Sequence, residues 1–114
     1  FLFAQNQEGL SNLFSLISES FEPGNYYRYP RVDYKLLKKY SQGVIASSAC
    51  LGGVYAGNYW ENRESGKEAV LGAMRETTRQ MLDIFGDRWY GELNIQVVLI
   101  FVSQASRDPR DAER

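Results

Sequence analysis

The feature that most constrains what this chain can fold into is a long amphipathic segment set between two short strand-like runs. From Glu64 to Phe85, the residues Val70, Ala73, Met74, Thr77, Met81, Ile84 and Phe85 share one helical face, while Glu68, Arg75, Glu76 and Arg79 lie elsewhere. That periodicity predicts a helix whose apolar stripe meets a core, and Gly86 is placed to end it. Upstream, Val44–Ser48 is a run of β-branched and small residues, consistent with a buried strand rather than one alternating between core and solvent. Downstream, Trp89–Leu93 reads as a second strand. A strand, a crossover and a strand in one sheet form a right-handed parallel unit, so residues 44–93 predict an α/β fold.

The rest of the chain can be read around that unit. Asn6 predicts the N-cap of a helix whose stripe is Leu10, Leu13, Phe14 and Ile17, ended by Pro23 and Gly24. Tyr26–Pro30 reads as a Tyr-rich loop, because Pro30 pushes Tyr29 out of helical geometry. Asp33 predicts a second N-cap, for a short helix with Leu36, Leu37 and Tyr40, and Gly43 is placed to follow its end. Ala49 to about Arg63 reads as a long connection containing Gly52, Gly53 and Gly57 among Tyr55, Tyr59 and Trp60, and long ordered loops tend to carry function. Ile95–Val102 reads as a further buried strand. The charged stretch Ser103–Arg114, interrupted by Pro109, has little to bury and reads as a disordered tail.

Composition narrows the chemistry. The 114 residues suit one folding unit, and 44% apolar with 24% charged residues is globular rather than disordered. A net charge of −1 provides no global attraction for nucleic acid or an anionic membrane, so such contacts must be local. The longest apolar run, Val97–Val102, is far below the roughly 20 residues of a spanning helix; we expect no membrane contact, no export signal and a cytoplasmic setting. Cys50 is the one cysteine, and there is no histidine. The second fact excludes the usual zinc centres and every Ser-His or Cys-His nucleophile within this chain.

Four features remain as candidates. Cys50 lies two residues past a predicted strand, where α/β barrels gather functional groups; it is either a thiolate metal ligand or a small buried apolar residue. The glycines at 52, 53 and 57 match no phosphate-binding spacing and read as turn geometry. Arg28, Arg31, Lys35, Lys38 and Lys39 interleave with Tyr26, Tyr27, Tyr29 and Tyr34, a mixture able to stack on bases and neutralise phosphates, or else a solvated helix face beside a Tyr-packed loop. Glu92 is a carboxylate ligand or base, or the ion-pair partner of Arg88.

Three separated segments, FAQNQEGLSNLFSLIS, YYRYPRVDYKLLKKYSQGVIASSACLGG and IFGDRWYGEL, resemble the PHP (polymerase and histidinol phosphatase) domain at the amino end of bacterial replicative DNA polymerase III α subunits. The resemblance covers about Leu2 to Leu93. It implies a fragment of a distorted (β/α)7 barrel, with parallel strands, outer helices and a metal cluster at the carboxyl ends of the strands. Active members of the family cleave phosphodiesters with divalent metal, as a 3′–5′ exonuclease proposed for proofreading; others have lost the ligands and support the polymerase structurally. The family's cysteine motif maps onto Cys50 and makes it the metal ligand. Tyr27 and Arg31 match the family's loop and are the candidate nucleic-acid contacts; no catalytic residue carries over.

The resemblance therefore implies residues 1–94 as a partial PHP domain and 95–114 as a divergent apolar strand and tail. The family's H-x-H start is expected upstream of Phe1 and its D-x-H motif downstream of Leu93. Zn, Mn or Mg would be bound by the complete domain and none by this chain alone, which is expected to be inactive. DNA, the remaining PHP and polymerase domains and other replisome subunits are the implied partners. The alternatives are a non-catalytic scaffold and part of a stand-alone phosphoesterase. Val54 stands where many relatives carry an acidic residue, and after Asn94 the resemblance stops.

Overall fold

A computed structural model describes residues 1–93. In chain order it holds strand β1 (Leu2–Ala4), helix α1 (Gln7–Ser20), helix α2 (Tyr34–Lys39), strand β2 (Val44–Ser47), helix α3 (Val54–Asn62), helix α4 (Lys67–Phe85) and strand β3 (Trp89–Tyr90). Single 3₁₀ turns at Arg63–Ser65 and Gly86–Arg88 flank α4. The expected strand at Ile95–Val102 and the expected disordered tail lie outside the described residues.

Both predicted caps form. The Asn6 side chain accepts the Gly9 N–H at 2.9 Å, and Asp33 Oδ1 accepts the Leu36 N–H at 2.7 Å, each satisfying one donor that a helix start leaves open. The face of α1 that turns inward differs from the predicted stripe. Gly9, Leu16 and Ser20 are buried and Leu13 packs on the core, whereas Phe14 and Ile17 are 62% and 54% exposed. The physical cause is a backbone contact that side-chain periodicity cannot express: a Cβ on Gly9 would lie 1.8 Å from the Gly43 carbonyl oxygen. This approach brings the Gly9 side of α1 against the chain entering β2. Gly43 itself has φ +69 and lies three residues beyond the Tyr40 cap of α2, so it shapes the entry to β2 rather than ending α2.

β2 is the centre of the sheet. It pairs with β3 in parallel, Ala46 opposite Trp89 and Ser47 opposite Tyr90, as the strand–crossover–strand pattern predicts. β3 is shorter than predicted, since Gly91–Leu93 leave the ladder. On its other side β2 pairs with β1 antiparallel, Leu2 opposite Ala46 and Ala4 opposite Val44. This corrects the expectation of parallel strands throughout: the sheet is mixed, in the order β1-β2-β3. Main-chain bonds bracket the antiparallel pair, from Gln5 N–H to the Gly43 carbonyl at 2.8 Å and from Ser47 N–H to the Phe1 carbonyl at 2.9 Å, filling donors that a central strand would otherwise leave unpaired.

The core is Val44 and Ala46 of β2 against Met81, Ile84 and Phe85 of α4, with Leu13, Leu37, Val54 and Trp89 closing around it. β2 alternates, Val44 and Ala46 being buried and Ile45 and Ser47 only half-buried, so it is not buried along its whole length as its composition suggested. The apolar stripe of α4 is largely as predicted, with Val70, Thr77, Met81, Ile84 and Phe85 buried. Its start differs, because Gly66 at φ +93 separates the 3₁₀ turn from the helix; Gly86 at φ +58 ends it as expected.

The connection expected between residues 49 and 63 is largely α3. Gly57 and several aromatic residues lower its intrinsic helix propensity, and packing on α4 offsets that. The Tyr55 hydroxyl and Thr78 Oγ1 share a hydrogen bond of 2.6 Å, and the Tyr55 ring meets Trp89 edge-on at 6.1 Å. No described helix is long and apolar enough to cross a membrane.

Candidate functional site

At the carboxyl end of β2 the chain turns sharply through Ser48–Gly53. Ala49 takes a left-handed conformation, φ 57, and the Gly53 N–H donates to the Cys50 carbonyl at 2.9 Å. Gly53 sits so close beneath that turn that a Cβ there would lie 2.0 Å from the Ser48 carbonyl oxygen. Only glycine allows this return, and α3 begins directly after it. The turn projects Cys50 as a free, exposed thiol, which removes the buried apolar reading of that residue. The same turn contributes Ser48, Ala49, Gly52 and Gly53 to the lining of a cavity of about 400 Å³ that also meets Met81 and Phe85 of the core; Cys50 does not line it.

Glu92 reaches the same end of the sheet. The Ser47 hydroxyl donates to its carboxylate, and the Glu92 N–H donates to Ser48 Oγ at 2.8 Å. The expected Glu92–Arg88 ion pair is not what forms. Arg88 Nη1 donates instead to the carbonyls of Ser41 and Val44 at 2.5 and 2.6 Å, tying the residues ahead of β3 to the entry of β2. A guanidinium can do this because it presents several donors in a rigid fork. Among the described residues no three His, Cys, Asp or Glu side chains gather into a group able to hold a metal ion. The donors here, the Cys50 thiol and a Glu92 carboxylate engaged by a serine, are by themselves fewer than a metal cluster needs and could supply only part of one.

The basic and Tyr-rich segment divides in two. In α2 and its C-cap two of the three lysines are paired: Lys38 Nζ is 2.6 Å from Asp83, Lys39 Nζ is 2.6 Å from Glu19, and the Tyr40 hydroxyl also donates to Glu19. The Lys39 hydrogen bond, then that of Tyr40, holds the Glu19 carboxyl below its ordinary range, and Glu19 in turn raises Lys39. Ahead of α2 the charges are not paired in this way. The guanidinium groups of Arg28 and Arg31 lie 5.9 and 5.5 Å from the centre of the Tyr27 ring, and Tyr27 and Tyr29 are 64% and 72% exposed. The predicted Tyr27 and Arg31 are thus brought together, with Arg28 as a third member.

Sequence reasoning singled out Cys50, Tyr27 and Arg31 but not the serine pair that engages Glu92, nor the clamp formed by Arg88. Neither has a local signal, since the partners lie more than forty positions apart along the chain.

The PHP domain family matches residues 1–96. The DNA polymerase III subunit alpha of Aquifex aeolicus (strain VF5) is 41% identical over 92 residues, which is 81% of this chain and 7% of that protein. The protein of the same description from Helicobacter pylori (strain ATCC 700392 / 26695) is 41% identical over 97 residues, covering 81% of this chain and 8% of its own length. That of Thermus aquaticus is 35% identical over 92 residues. The chain therefore spans less than a tenth of the relatives it matches.

Proposed function

The chain belongs to the PHP domain family, and from that membership we propose that it works as the PHP-domain portion of a replicative DNA polymerase III α subunit. The observation carrying this reading is the run of relatives bearing that one description, aligned over 81% of the chain. In this proposal residues 1–94 are part of a distorted (β/α)7 barrel and residues 95–114 a divergent segment. DNA and the other replisome subunits are met through the parent polymerase. The shared description of the relatives from Aquifex, Helicobacter and Thermus favours a polymerase over a stand-alone phosphoesterase.

Cys50 is proposed as a thiolate ligand for a divalent ion (Zn, Mn or Mg) in the complete domain, where further ligands come from outside the described residues. Its exposure at the carboxyl end of β2 supports this, because a ligand must be reachable by the metal and by its other donors. When bound, such an ion would supply Lewis-acid activation of water for phosphodiester cleavage. No step is assigned to this chain alone. Tyr27 and Arg31 are proposed as contacts to nucleic acid.

The test is made in the complete polymerase that carries this segment. Cys50→Ser is expected to lower bound metal, measured by mass spectrometry of the purified protein, with a loss of affinity no smaller than the roughly tenfold that removing an outer partner costs. Exonuclease rate should fall with it. Unaltered metal content and rate would reject the ligand role, and unaltered content with no exonuclease in either protein would favour a structural support for the polymerase.

A further inference from the structure

The geometry points to the turn Tyr26–Pro30, with Arg31, as a platform for single-stranded DNA, in which a base stacks on an exposed tyrosyl ring and backbone phosphates are held by Arg28 and Arg31. This deepens the nucleic-acid reading of Tyr27 and Arg31 and rests on it.

Charge provides the first argument. Two guanidinium groups lie within 6 Å of one phenol ring, and among the described residues neither arginine takes part in an ion pair. Asp33 accepts the Leu36 N–H, Glu19 accepts from Lys39 and Tyr40, and Glu22, just ahead of the turn, forms an ion pair with neither arginine. Two cations gathered around one ring concentrate positive charge on which a polyanion can settle while releasing its own counterions.

Shape provides the second. Arg28 is a non-glycine residue at φ 63, and the Tyr27 N–H closes the turn on the Tyr29 carbonyl at 3.2 Å. This conformation is uncommon for a side-chain-bearing residue. It makes the backbone fold back on itself with both tyrosines outward, 64% and 72% exposed. Tyr26, by contrast, is stacked on Phe21 at 5.9 Å and anchors the turn to the end of α1.

The combination selects the ligand. Exposed flat rings beside unpaired guanidinium groups match a polymer carrying both π-faces and regularly spaced phosphates. An acidic peptide offers the charges without the stacking faces, and duplex DNA keeps its bases inside its own stack.

The experiment measures fluorescence anisotropy of labelled oligothymidylate, and of an abasic strand of equal length, against the full chain over a salt series. The wild-type chain is expected to bind oligothymidylate more tightly than the abasic strand. Arg28→Gly, which suits the left-handed backbone, and Arg31→Ala are each expected to reduce the slope of log affinity against log salt by roughly 0.7. Tyr29→Ala should weaken oligothymidylate binding about tenfold and leave the abasic strand unaffected, while Tyr27→Phe retains binding. Wild-type binding that none of these variants alters overturns the platform but leaves the nucleic-acid reading standing on other residues. Equal affinity for both strands overturns the stacking, and no wild-type binding to either overturns both readings.

Discussion

Single side chains in this structure gain their meaning from partners distant in sequence. Glu19 on α1 is the clearest case, since it accepts from both Lys39 and Tyr40 around the end of α2. Its carboxyl is held below its ordinary value of 4.5, by the Lys39 hydrogen bond first. A lowered folded-state value means that the contribution is fully present above the unfolded value and is lost as pH falls through the folded one. Lys39 is raised, chiefly by Glu19, so its share is present below its own unfolded value and fades at strongly alkaline pH. The pair is solvent-exposed and screened. Glu19→Gln is therefore expected to flatten the acid-side decline in stability below about pH 4.5, followed by urea unfolding from pH 6 to pH 3, and to flatten it less at high salt. A decline identical to wild type at low salt would reject the linkage.

Within elements, the glycines separate into two kinds that sequence alone cannot tell apart. Gly43 has φ +69, and a Cβ there would meet Asn6 Oδ1 at 2.4 Å and the Gly9 nitrogen at 2.7 Å. Gly57, inside α3, would place a Cβ in open space. Gly43→Ala is expected to destabilise by about 1–3 kcal/mol, from overpacking and strained backbone. Gly57→Ala should stabilise by roughly 0.5–1 kcal/mol, because alanine loses less conformational freedom in a helix. Chemical denaturation of the two variants checks both signs. The same logic explains the error over residues 49–63: Gly57, Tyr59 and Trp60 read as a loop by propensity, and the contacts of Tyr55 with Thr78 and Trp89 make them a helix.

At the scale of the whole molecule, the small mixed sheet leaves much apolar surface uncovered within the described residues. Phe14, Ile17 and Phe21 on and just after α1 are each more than half exposed, as is Leu51 beside Cys50. Contiguous patches of this kind promote association. For the chain on its own, Phe14→Ser with Ile17→Ser is expected to reduce concentration-dependent self-association in sedimentation velocity while changing stability by under about 0.5 kcal/mol, the range of surface substitutions. A sedimentation profile unmoved by both changes would show that this face takes no part in association.

Read residue by residue, the amino-acid order determines the two caps at Asn6 and Asp33, the inward stripe of α4, its end at Gly86, and the parallel pairing of β2 with β3. These are local or periodic properties, encoded within a few turns of chain. Tertiary structure alone decided that β1 joins β2 antiparallel, that α1 turns Gly9 rather than Phe14 toward the sheet, and that Glu92 is met by Ser47 instead of Arg88. Each depends on a backbone approach or a hydrogen bond between segments some thirty to forty-five residues apart, and no periodicity in one segment carries the position of the other.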